Sequence, residues 1–147
     1  MNSKTVLYVE DEDMDAFFMK RAFDFLGASY CLRVVRDGLD AMDYLGGTGR
    51  FTDRQRYPLP SLVLLDLNIP GKKGLEVLEW IRQQKQFQSL PVVIFTASDL
   101  EGDRRKNMEA GANDYVVKPN DMTKIPEILS SILKRFLNVE ASERKVA

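Results

Sequence analysis

Histidine is absent from this 147-residue chain, and cysteine occurs once. Without histidine there is neither the commonest acid–base side chain nor the commonest zinc ligand, so a histidine-based catalyst is excluded. Cys31 alone cannot close an internal disulfide, and the fold therefore does not depend on an oxidising compartment. No segment approaches the roughly 18 apolar residues of a membrane span, and the opening Met1-Asn2-Ser3-Lys4-Thr5 leads into a short apolar run interrupted by acids. The expected location is cytoplasmic, with neither secretion nor membrane anchoring indicated. An excess of one charge is also missing. With 21 Lys and Arg against 22 Asp and Glu, the net charge of −1 offers no chain-wide attraction to nucleic acid or an anionic membrane. Partners must be sought in local features.

What is present is globular: 44% hydrophobic and 29% charged residues, at a length that buries roughly 70% of the unfolded chain's surface in one core. Short β-branched-rich runs at Thr5–Val9, Tyr30–Val35, Leu62–Leu65, Val92–Phe95 and Tyr115–Val117 predict buried strands. Between and after them, Met14–Leu26, Gly38–Leu45, Leu75–Gln84, Leu100–Ala110 and Met122–Leu137 carry apolar residues at helical spacing. Strict β-α alternation predicts an α/β fold: a doubly wound, five-stranded parallel sheet of order 2-1-3-4-5 with five helices on its two faces. Residues 1–138 are expected to form one domain and 139–147 a short polar tail, with no second, output domain. The stretch from Gly46 to Pro60 is long for a helix-to-strand loop and contains Gly46-Gly47-Thr48-Gly49. It belongs at the amino ends of the strands, whereas ligands of open α/β sheets bind at the carboxyl ends, so it reads as a surface loop rather than a phosphate cradle. Its Arg50, Arg54 and Arg56 against Asp53 leave a protein-contact surface as the other reading.

The chemistry gathers at the strand ends. Glu10 and Asp11 follow the first strand, Asp66 the third, Thr96 the fourth and Lys118 the fifth. In this strand order the switch point lies between strands 1 and 3, which brings Glu10, Asp11 and Asp66 into one crevice. Two carboxylates about 5 Å apart repel by roughly 3 kcal/mol at an effective dielectric near 20, so three ionised ones call for a proton or a cation. Oxygen donors without His or Cys suit Mg²⁺, which keeps several waters and accepts phosphate oxygens. Beside such a cation an aspartate can attack phosphorus, with Lys118 as a mobile positive charge and the Thr96 hydroxyl as a donor to phosphate. Pro119 restricts the backbone after Lys118 and leaves a cis peptide open.

Four ordered motifs, Val6-Leu-Tyr-Val-Glu-Asp11, Leu64-Leu-Asp-Leu-Asn-Ile-Pro70 with Gly74, Val92-Val-Ile-Phe-Thr-Ala97 and Gly111-Ala-Asn-Asp-Tyr-Val-Val-Lys-Pro119, resemble the receiver domains of two-component response regulators. The resemblance runs from about Lys4 to Leu137 and implies a flavodoxin-like architecture. It implies Asp66 as phosphoacceptor for a sensor histidine kinase, with Mg²⁺ held by Glu10, Asp11, Asp66 and the backbone carbonyl of Asn68. Thr96 and Lys118 would contact the phosphate, and Tyr115 stands at the switch aromatic's position, turning inward as Thr96 moves toward phosphate. Lys73 departs from the pattern, where an Asp or Asn commonly precedes the glycine. The long 46–60 loop and Leu64–Pro70 are similar to single-domain regulators that pair with phytochrome-type kinases. The implied role is phosphoacceptor rather than enzyme, apart from slow autodephosphorylation. Its output is expected to be phosphorylation-dependent association, with a homodimer through the fourth helix, fifth strand and fifth helix favoured and a separate effector protein as the alternative.

Taken singly, each residue has a plainer reading. Asp11 and Asp13 could cap the first helix, Thr96 and Tyr115 could be strand packing, Lys118 a solvated lysine, and Arg104-Arg105-Lys106 a solvated helix face. Cys31 reads as a small buried side chain. A haloacid-dehalogenase-type phosphatase would want a second aspartate where Asn68 stands, and a flavodoxin-like electron carrier would want hydroxyls and glycine where Glu10 to Asp13 stand. A degenerate receiver acting purely as a binding module would lack some of these positions, and all are occupied. In the first helix, Phe18, Ala22, Phe25 and Leu26 are expected to face the core. Met14 and Phe17 are then surplus and available to a helical phosphodonor domain.

Overall fold

The computed structural model describes residues 4–27 and 29–137. Strands β1 (Lys4–Val9), β2 (Tyr30–Val35), β3 (Leu62–Leu65), β4 (Val92–Thr96) and β5 (Asp114–Val117) form one parallel sheet in the order β2-β1-β3-β4-β5. The helices are α1 (Asp13–Leu26), α2 (Gly38–Gly46), α3 (Gly74–Gln83), α4 (Glu101–Glu109) and α5 (Ile125–Phe136). Val6, Leu7, Tyr8 and Val9 are wholly buried because β1 lies inside the sheet with helices over both faces. Val6 and Tyr8 join α1 and α5 in one core, while Leu7 and Val9 join α2 and α3 in the other.

All five strands fall within a residue of their predicted spans, and two helices need correction. The stretch before α5 is a single 3₁₀ turn, Met122–Lys124, and the α-helix starts at Ile125 with Pro126 in its first turn, where a missing N–H costs nothing. On α1 the fully buried residues are Met19, Ala22 and Phe23, with Phe18 and Leu26 partly covered. Phe25, expected in the core, is 80% exposed, because the sheet meets α1 on the Met19–Phe23 side. Cys31 is half-buried rather than buried, since β2 is an edge strand with a neighbour on one side only. The polar tail 139–147 lies outside the described residues.

The loop after α2 is pinned. Phe51 is buried against Tyr44 and Tyr57, with ring centroids 5.1 and 5.0 Å away, and the Arg54 guanidinium donates to the carbonyls of Tyr44, Leu45 and Tyr57.

Candidate functional site

Register places the site. Val9 pairs with Leu65 and Thr96 with Val117, so the residues one step beyond, Glu10, Asp66 and Lys118, emerge side by side at the carboxyl edge. The Asp66 N–H donates to the Val9 carbonyl at 3.2 Å and the Lys118 N–H to the Thr96 carbonyl at 2.7 Å, extending the ladder past the strand ends. Gly74 permits the close approach of α3: a Cβ there would sit 2.5 Å from the Asp66 carbonyl oxygen.

The Lys118 ammonium is the hub. Its Nζ donates to Glu10 Oε1 at 2.7 Å, Asp15 Oδ2 at 2.6 Å and Asp66 Oδ2 at 2.8 Å, residues 108, 103 and 52 positions away in the chain. The lysine side chain is 9% exposed, that of Glu10 0% and that of Asp66 6%. Burial works against the ammonium, but the hydrogen bonds to Asp15, Asp66 and Glu10 prevail and hold its pKa above the ordinary lysine range. Glu10 also accepts from the Tyr8 hydroxyl at 3.0 Å and the Glu12 N–H at 3.1 Å. Desolvation raises the Glu10 carboxyl above the usual range, with Lys118 pulling against it and Asp66 adding to it. Tyr8 is pushed far up by burial and then by the charge of Glu10 beneath its hydroxyl.

Around this hub, the Asn68 N–H donates to Asp66 Oδ1 at 3.2 Å and orients the carboxylate. Asp11 is half-buried at the start of α1, its carbonyl accepting from Arg36 at 2.9 Å. Asp13 is drawn away to Arg36 at 2.6 Å, and the N-cap of α1 is Glu12, so the acids here do not serve merely as caps. Thr96 is fully buried, its hydroxyl oxygen accepting from the Ser98 N–H at 3.4 Å. Tyr115 is turned inward, 3% exposed, donating its hydroxyl to the Ser98 carbonyl at 2.9 Å beneath the Arg104 guanidinium. Lys73 is exposed at the start of α3, and its N–H donates to Glu76. The Lys118–Pro119 peptide is trans, so the lysine reaches inward through its length and three acceptors without a cis bond.

Of the expected residues, Glu10, Asp66 and Lys118 meet directly, Thr96 and Tyr115 share Ser98 instead, and one partner is added. Asp15 binds Lys118 as closely as any partner and was absent from the motifs; Asp11 precedes the helix, so no helical spacing linked the two in the sequence. Among the described residues no three acidic side chains are gathered as a ready-made metal centre, because the lysine stands between them. Three carboxylates, Glu10, Asp15 and Asp66, nevertheless surround this one ammonium, and the donors are all oxygens. That set fits a hard cation.

A family model described as the response regulator receiver domain matches residues 6–130. The chain belongs to this family. The receiver is 33% identical over 129 residues to response regulator Rcp1 of Synechocystis sp., covering 88% of this chain and 86% of that protein. The Mn²⁺-bound structure of Rcp1 superposes with a TM-score of 0.80, over 89% of this chain and 92% of that one. The phosphorylated cyanobacterial phytochrome response regulator RcpA is 30% identical with a TM-score of 0.86, covering 94% and 96%. Response regulator RPA3017, in red light signaling of R. palustris, is 34% identical with a TM-score of 0.85, covering 92% and 94%. The receiver shares their five-stranded 2-1-3-4-5 sheet.

Proposed function

We propose that this receiver accepts a phosphoryl group on Asp66 from a sensor histidine kinase of the phytochrome type, with Mg²⁺ in the crevice, and signals by a change in protein association. One observation carries the reading: a lysine and three carboxylates meet within 2.8 Å at the switch point of the sheet. The kinship to RcpA and RPA3017, a phytochrome and a red-light regulator, supports the choice of donor.

Asp66, Asp11 and the Asn68 carbonyl would hold the cation directly, and Glu10 from its deeper position behind them. The ion would supply positive charge that offsets repulsion between the attacking carboxylate and the phosphoryl oxygens. An Asp66 oxygen forms the bond to phosphorus while the bond from phosphorus to the kinase's histidine nitrogen breaks, the nitrogen leaving with the electron pair. Lys118 transfers one hydrogen bond to a phosphoryl oxygen, and the Thr96 hydroxyl donates to another. The Mn²⁺-bound state of Rcp1 and the phosphorylated state of RcpA support both halves of this reading.

Intact mass after incubation with acetyl phosphate tests it. Wild type should gain one phosphoryl mass in Mg²⁺, and none in excess chelator or in Asp66→Asn. Full labelling of Asp66→Asn would move the phosphosite elsewhere.

A further inference from the structure

Asp15 has no part in the assignment above, yet it makes the shortest contact Lys118 has: 2.6 Å, against 2.7 Å to Glu10 and 2.8 Å to Asp66. An ammonium carries three N–H donors, and these three carboxylates take all of them. Two of the partners change during phosphorylation. On the assignment above, Asp66 would become an acyl phosphate, and Glu10 would be shared with the cation. Asp15 alone keeps both its charge and its place. It is the third residue of α1, where the positive end of the helix dipole favours a carboxylate. The four-carbon stem of a lysine has many rotamers, and Lys118 sits in a loop two residues before Asn120 rather than inside a strand.

We infer that Asp15 is a positioning residue: it tethers Lys118 Nζ in the crevice while Asp66 is being phosphorylated, so that one ammonium hydrogen is always aimed at the incoming phosphoryl group. The inference rests on the assignment of Asp66 as phosphoacceptor. Two other roles would act in other ways. A carboxylate that merely competed with phosphate for Lys118 would slow labelling, and its removal would speed it. A carboxylate that merely repelled the anionic donor would do so whether or not Lys118 was present.

The experiment is a time course of acyl-phosphate formation on the full chain by intact mass, with acetyl phosphate and saturating Mg²⁺. It compares wild type, Asp15→Ala, Asp15→Asn and Asp15→Glu, and sets Lys118→Ala beside the Asp15→Ala/Lys118→Ala double variant. Asp15→Ala should label more slowly by on the order of tenfold, as expected when a reacting group is loosened. Asp15→Asn, which keeps an acceptor without the charge, should fall between it and wild type, and Asp15→Glu should recover most of the rate. In the Lys118→Ala background, Asp15→Ala should change nothing further, because residues that act as a unit are non-additive. The Nζ–H protons of Lys118 should be protected from exchange in wild type and exchange rapidly in Asp15→Asn. If Asp15→Ala does not fold, the isosteric Asp15→Asn decides. Unchanged or faster labelling, or an equal slowing without Lys118, would overturn the tether. Absence of wild-type labelling at Asp66 would instead remove the assignment beneath it.

Discussion

At Gly74 the carboxyl edge tolerates no side chain at all. An added Cβ would meet the Asp66 carbonyl oxygen at 2.5 Å and the Leu67 Cα at 2.7 Å, both backbone atoms that cannot rotate aside. Gly74→Ala should therefore push α3 away from Asp66, cost about 1–3 kcal/mol in urea unfolding, and slow acyl-phosphate formation as well. Native stability with native labelling would show that the edge is softer than the packing implies. The hub was legible because Glu10, Asp66 and Lys118 each directly follow a strand, and a parallel sheet aligns strand ends whatever the intervening sequence. Asp15 was not legible, because its role depends on the direction a lysine 103 positions away takes across the crevice. The trans Lys118–Pro119 peptide was equally beyond reach, since the sequence before proline permits both isomers.

Among the elements, the segment between α2 and β3 is a surface loop as read, but a more firmly held one than its sequence conveys. Its glycines and arginines say nothing of the packing beneath, where Phe51, Tyr44 and Tyr57 stack and Arg54 ties three carbonyls. The Tyr44 hydroxyl donates to the Pro58 carbonyl at 2.8 Å, and burial raises its pKa above the ordinary value of 10.0. A folded pKa above the unfolded one means that the protonated form favours folding. The contribution is complete below pH 10 and is lost as pH rises through the folded pKa. Tyr44→Phe should cost about 1 kcal/mol at neutral pH, where the hydrogen bond is lost, and flatten the alkaline fall in stability. Urea titrations at pH 7 and across the alkaline limb check it; an unchanged alkaline slope would assign the fall to other groups. On α1 the hydrophobic pattern was ambiguous for a physical reason: nine apolar residues among fourteen cover more than one face, and only the position of the sheet selects Met19, Ala22 and Phe23. On the face left over Met14 is 61%, Phe17 51% and Phe25 80% exposed, and Phe17 and Phe25 line a groove of about 320 Å³ with Phe18, Met122 and Pro126. We propose it as the seat of the kinase's helical phosphodonor domain. Phe17→Ala should leave labelling by acetyl phosphate intact and slow labelling by the kinase; equal rates from both donors would remove the idea.

For the molecule as a whole, the proposed output leaves through α4–β5–α5. The fourth helix is the weakly anchored member. Asn107 is its sole fully buried side chain, and its Oδ1 has no partner, while Arg104 and Arg105 remain at the surface. A phosphoryl group adds a charge of about −1.5 to −2 beside Thr96, two residues from the Ser98 carbonyl that holds the Tyr115 hydroxyl. Tyr115 already stands inward, so drawing in Thr96 would fix it there rather than turn it, and shift α4 at small cost. Light scattering on the fully phosphorylated protein should show a doubled mass; an unchanged mass, unchanged partners in pull-down and unchanged hydrogen exchange in α4 would leave a phosphate sink with no onward signal. The most direct measurement is to label the protein with acetyl phosphate in Mg²⁺, reduce the acyl phosphate with borohydride and sequence the peptides by mass spectrometry. The account predicts homoserine in place of aspartate at position 66 and nowhere else, and homoserine at another acid, or a label that survives base and borohydride unchanged, would contradict it.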